Sequence, residues 1–105
     1  MPIPNTTDDT FAAEVLETEG PVLVDFTAAW CPPCRVMEPI LSDLAAERAD
    51  LRVVRLDVDA NQATAARYGV LSMPTFLLFR AGEPVLKLVG ARPRRRLEAD
   101  LAAAL

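Results

Sequence analysis

The segment PVLVDFTA (21–28) sets the tightest limit on how this chain can fold. Its strand-forming apolar residues run almost without a break instead of alternating with polar ones. Such a run marks a strand covered on both faces, the kind found at the centre of an α/β layer structure. Asp25 sits in the middle of it, and a carboxylate there needs a reason. Strand alternation predicts Val22, Val24 and Phe26 on one face and Leu23, Asp25 and Thr27 on the other.

The rest of the chain is punctuated to match. Asp8 is placed to cap a first helix with Phe11, Ala12, Val15 and Leu16 as its apolar stripe, and Gly20 suits its exit. From about Cys31 to Ala49, the residues Val36, Met37, Ile40, Leu41, Leu44 and Ala45 repeat on one helical face. Pro39 inside that stretch predicts a kink. LRVVRLDVD (51–59) predicts a second internal strand, and Asn61–Tyr68 a short helix closed by Gly69. TFLLFR (75–80) and PVLKLV (84–89) flank Ala81-Gly82-Glu83, a link short enough for an antiparallel hairpin. A last helix begins near Pro93 and carries Leu97, Leu101 and Ala104. A weak edge strand is expected at Ile3, between Pro2 and Pro4. The order predicts an α/β fold with a mixed sheet, in one domain spanning residues 1–105.

Composition narrows the chemistry. The chain has no histidine, so Ser-His and Cys-His pairs and histidine metal sites are excluded. Its two cysteines are too few for a zinc site within one chain, and no metal is expected. A net charge of −4 disfavours nucleic acid as a partner. No apolar run approaches the ~20 residues that cross a bilayer, so no membrane partner is expected. The start, MPIPNTTDDT, has neither the basic nor the apolar region of a signal peptide, and a cytoplasmic location follows.

Those two cysteines stand in Trp30-Cys31-Pro32-Pro33-Cys34, where the first strand gives way to the second helix. A Cys-x-x-Cys there points to redox work. Cys31 would cap the helix, with its sulfur among free N–H groups at the positive end of the dipole. That setting favours the thiolate. Pro32 and Pro33 suit the first turn, and Cys34 returns beside Cys31. Half of a zinc site completed by a second chain, a static disulfide and two inert core cysteines are the competing possibilities.

The segment VLVDFTAAWCPPCRVMEPIL resembles the active-site region of the thioredoxin family. TDDTF, LDVDANQ, YGV, MPTFLLFRAGEPV and VGA continue the likeness in order and spacing from about residue 6 onward. The resemblance implies the thioredoxin fold, with a central mixed sheet of four to five strands covered by four helices on both faces. It implies a protein-disulfide reductase with Cys31 as the attacking thiol, Cys34 as the resolving thiol and Asp25 as the buried carboxylate. Pro74 corresponds to a cis-proline facing the disulfide. Trp30, Met73, Pro74, Val89, Gly90 and Ala91 correspond to the surface that grips target polypeptide.

By the same resemblance no cofactor is bound. Electrons come from a flavin- and NADPH-dependent thioredoxin reductase and pass to disulfide-containing targets, and the protein is a monomer. A dedicated carrier for one partner system and a non-redox binding scaffold are the alternatives. Pro32 replaces the family's usual glycine, Thr27 a frequent tryptophan and Arg55 the usual lysine near the carboxylate. None of the three removes a catalytic part. Burial should raise the Asp25 pKa, whereas an Arg55 guanidinium reaching it would lower that pKa. Arg92, Arg94, Arg95 and Arg96 read as a solvated face, with a docking patch for an acidic partner as the sharper option.

Overall fold

In the computed structural model, which describes residues 3–105, strands and helices alternate as far as a closing pair of strands and a last helix. A π-helical segment, Ala12–Leu16, comes first. It is followed by β1 (Val22–Thr27), α1 (Pro32–Glu47), β2 (Arg52–Asp57), α2 (Gln62–Arg67), β3 (Thr75–Arg80), β4 (Glu83–Val89) and α3 (Arg94–Ala104). The sheet order is β2-β1-β3-β4. β1 runs parallel to β2 and antiparallel to β3, and β3 and β4 form an antiparallel hairpin. The sheet is therefore mixed, as the sequence pattern predicts.

Every residue of β1 is buried, Asp25 included, in keeping with its nearly continuous apolar run. Val22, Val24 and Phe26 join Phe11, Val15, Val54, Leu56, Leu77 and Phe79 beneath the π-helical segment and α2. Phe11, Tyr68 and Phe79 meet there with ring centroids 5.2–5.7 Å apart, edge-on or tilted. Leu23 faces the other way, into a layer with Met37, Leu41, Leu44, Phe76, Leu78, Leu97 and Leu101. These side chains come from α1, α3 and β3. Asp25 shares the parity of Leu23 and so belongs to the face that α1 covers.

The β3–β4 turn needs only Ala81 and Gly82, because Arg80 already pairs with Glu83. Both turn residues have positive φ, 52° and 80°, the backbone of a tight hairpin turn. A Cβ on Gly82 would meet the Leu16 carbonyl oxygen at 3.0 Å, so glycine also admits the end of the π-helical segment. A register shift between Leu78 and Phe79 lets Val85 bulge outward on β4.

Several expectations are corrected. Asp8 does not cap the first helix. Its Oδ1 accepts from the Thr64 amide at 2.9 Å and the Thr64 hydroxyl at 2.6 Å, and its Oδ2 accepts from the Ala63 amide at 3.3 Å. It thus caps α2, from far away in sequence, and these bonds hold its carboxyl below the ordinary range. The expected helix at residues 12–16 is wound one residue wider, with the Glu17 amide bonding to the Ala12 carbonyl. β2 is an edge strand of the four, not an internal one.

The expected strand at Ile3 reduces to a single parallel bridge between Asn5 and Arg55. Pro4 accepts from the Arg55 amide and Thr6 donates to the Arg55 carbonyl, which covers the edge of β2 at one point. Pro2 lies outside the described residues. Pro93 caps α3 from outside its first turn, and α1 ends at Glu47, two residues short of expectation.

Candidate active site

Helix α1 begins where β1 ends, and the first turn brings its two sulfurs together. Cys31 has extended backbone and is the N-cap, and its Sγ accepts the Cys34 amide hydrogen at 3.2 Å. The two residues form a disulfide with Cα atoms 5.3 Å apart. The chain holds this pair with helix geometry alone, since Cys34 lies one turn beyond the cap. Pro32 and Pro33 occupy the first two helical positions, where their missing N–H groups break no intrahelical bond.

This corrects the picture of a sulfur among several amides. Pro32 and Pro33 contribute none, and the Arg35 amide bonds to the Cys31 carbonyl at 3.3 Å. The Cys34 N–H is the amide that reaches the sulfur. When the disulfide opens, a negative charge on Cys31 meets that donor and the helix dipole together.

Opposite the sulfurs lies the loop before β3. The Met73–Pro74 bond is cis, as the family resemblance implies. The Met73 carbonyl oxygen lies 3.6 Å from Cys31 Sγ. A disulfide sulfur carries no proton, so this is a contact that becomes a hydrogen bond only with the thiol. Pro74 is buried and Met73 half-buried. The Pro74 carbonyl accepts from the Gly90 amide at 2.8 Å, which ties the Val89–Ala91 segment to this loop. Val89 and Ala91 are exposed. Trp30 is 62 % exposed, and its ring N–H donates to Asp59 Oδ2 at 2.8 Å. The indole is therefore pinned on the surface rather than packed into the core.

Asp25 lies within β1 and is 1 % exposed, with Oδ1 bonded to no protein group. Burial pushes its carboxyl from 3.8 up to about 7. The Arg55 cation pulls against this, and the Glu38 carboxylate adds to it. Arg55 is the β2 partner of Asp25 in register, but its guanidinium pairs with Glu38 of α1 at 3.8 Å. Both expected influences are present, burial raising the Asp25 pKa and Arg55 lowering it, and burial is the larger. Asn5, Thr27, Ala28, Ala29, Arg35, Glu38, Arg55 and Asp57 line an open cleft of about 280 Å³ beside this pair.

Sequence reasoning missed three things here. Glu38 entered only as part of a helical stretch, although it faces Arg55 across the sheet edge. Val36, placed in the buried stripe of α1, is 62 % exposed, and Leu71, two residues before Met73, is 94 % exposed. The four-arginine run is not simply solvated, because Arg92 and Arg94 are both held in ion pairs. Among the described residues, no group of three potential ligands is placed to hold a metal ion.

A mixed sheet with a helix-capped Cys-x-x-Cys disulfide at the end of its central strand defines a thiol–disulfide oxidoreductase. The family model named Thioredoxin matches residues 2–103. A thioredoxin of Streptomyces clavuligerus is 50 % identical over 93 residues, which cover 89 % of this chain and 87 % of that one. A thioredoxin of Mycobacterium bovis is 49 % identical over 96 residues, covering 90 % and 83 %. A bifunctional thioredoxin reductase/thioredoxin of Mycobacterium leprae is 47 % identical over 96 residues, covering 90 % of this chain and 21 % of its own. The chain belongs to the thioredoxin family.

Proposed function

We propose that the chain is a general cytoplasmic reductant of protein disulfides, acting as one domain and as a monomer, and recharged by a thioredoxin reductase. The observation that carries this reading is the Cys34 amide donating to Cys31 Sγ at the mouth of α1. It makes Cys31 the better thiolate and hence the nucleophile.

The Cys31 thiolate attacks one sulfur of a target disulfide, forming a mixed disulfide and expelling the other target sulfur as a thiolate. Cys34, once deprotonated, attacks Cys31 Sγ and expels the remaining target sulfur. Two electrons pass to the target, and the Cys31–Cys34 disulfide is left behind. Asp25 accepts the Cys34 proton through a water, which a carboxyl near 7 can do at working pH. Trp30, Met73, Pro74, Val89, Gly90 and Ala91 receive the target backbone around the disulfide. Pro32, Pro33 and Arg55 support the site.

The Mycobacterium leprae relative, whose name joins thioredoxin reductase to thioredoxin, supports a thioredoxin reductase as the electron source. Among the described residues, no helix is long and apolar enough to cross a membrane.

The test has two arms. With a thioredoxin reductase and NADPH, the protein should turn over insulin and several unrelated disulfide substrates. Turnover of one substrate alone would favour a dedicated carrier, and none would favour a scaffold. Cys34→Ser should trap targets as mixed disulfides and Cys31→Ser should trap none. The opposite pattern would reverse the two roles.

A further inference from the structure

The arginine run holds a feature that the exchange chemistry leaves unused. Arg92 has a side chain only 12 % exposed, where a solvated cation would extend into water. Its Nη2 donates to the Val89 carbonyl at 3.0 Å and its Nε to the Gly90 carbonyl at 3.4 Å. Its Nη1 donates to Oδ2 of Asp100, in the second turn of α3, at 2.8 Å. One planar guanidinium thus grips two successive carbonyls and one carboxylate. Lysine, a point charge without a fork, cannot reproduce that set.

The grip lies where β4 ends, at the last residue that pairs with β3. Gly90 has φ 96°, and no atom lies within 4 Å of where its Cβ would stand. Glycine there gives the backbone freedom, so the segment's shape must be fixed from outside. Three things fix it: the pairing of Val89 with Thr75, the Gly90 amide on the Pro74 carbonyl, and Arg92 on the Val89 carbonyl and, alone among the described residues, on the Gly90 carbonyl. Arg94, bonded to both Glu98 and Glu47, ties the start of α3 to α1, so the anchor is itself held.

We propose that Arg92, oriented by Asp100, is a positioning residue that sets the shape of the Val89–Gly90 segment for extended disulfide-bearing polypeptide. Because Asp100 neutralises the cation, the pair acts through geometry rather than by attracting acidic targets. It touches neither sulfur, so it affects how a polypeptide is held and not how a thiolate attacks. This rests on the reading that Val89–Gly90 meets the target.

The test compares two substrates in the full chain. Arg92→Met should lower the rate constant for insulin reduction about five- to tenfold relative to that for bis(2-hydroxyethyl) disulfide, the cost of losing charge-assisted bonds that shape the segment. The loss should appear in KM rather than in kcat. Arg92→Lys should recover little of it, and Asp100→Asn should show a smaller loss in the same direction. Amide exchange at Gly90 and Ala91 should accelerate in all three. An unchanged rate ratio with unchanged exchange would overturn the proposal, as would an equal fall for both substrates. NMR shifts of a Cys34→Ser mixed disulfide with a cysteine peptide separate the two readings. If Val89–Gly90 signals move with bound peptide while the rate ratio is unchanged, the clamp fails and the target surface stands. If they do not move, the target-surface reading fails.

Discussion

β1 and β2 are neighbours, paired residue for residue, yet their charged residues meet opposite fates. Asp25 and Arg55 are register partners on adjacent parallel strands. Asp25 stands on a strand buried along its whole length, so its carboxyl is desolvated and its pKa climbs to about 7. Arg55 stands on an edge strand beside an open cleft, and its long side chain reaches Glu38 on α1. A carboxyl buried on a central strand without a partner is favoured in its neutral form, whereas an edge strand lets a charged group find a partner. A carboxyl that titrates near neutral pH therefore sits on β1, and the charge that moderates it sits on β2.

The largest expected effect breaks the β1 half of this comparison. Asp25 has a folded-state pKa above its unfolded value of 3.8, so its protonated form favours folding. That contribution is intact below pH 3.8 and is lost as pH rises through about 7. Asp25→Asn should therefore stabilise the oxidised protein above pH 8, by on the order of 4 kcal/mol, and the gain should vanish near pH 4. Urea unfolding at both pH values measures it. A gain that does not depend on pH would mean that the carboxyl titrates in its ordinary range.

The β2 half is tested by moving the charges around Asp25. Arg55→Met should raise the Asp25 pKa, and Arg55→Lys should leave it closer to the starting value. Glu38→Gln should lower it by less, since Glu38 is the smaller influence. Carbon-13 titration of the side-chain carboxyl reads all three. An Asp25 pKa that Arg55→Met does not move would show that burial alone sets the acid. The smallest effect lies far from the site: Asp8→Ala should slightly lower the melting temperature by uncapping α2, and Asp8→Asn should keep part of the cap.

How much of this could be read from sequence depended on the distance over which each feature is decided. The nearly continuous apolar run of β1, the Ala81-Gly82 turn and the Cys31 cap are local, and periodicity or residue type exposes them. The Cys-x-x-Cys spacing fixed which sulfurs meet because one helical turn suffices. Asp8 was legible as a cap but not as the cap of α2, because its partner Thr64 reaches it only through the tertiary fold. Edge or centre was illegible for β2, since Leu51, Val53, Val54 and Leu56 look alike in either place and sheet order decides. Arg92 was hidden among its neighbours, because four arginines in five positions read as solvent-facing until Asp100 and two carbonyls appear beside one of them. Charged side chains are long, and their partners are chosen by the fold.

The central claim is that the end of β1 and the start of α1 make Cys31 the thiolate that attacks. Alkylation of the reduced protein across pH, with each cysteine followed by peptide mass, measures it most directly. The account predicts that Cys31 is labelled first and titrates below the ordinary thiol value of about 8.5, while Cys34 lags at every pH. Cys34 labelled first, or Cys31 titrating at or above that value, would contradict it.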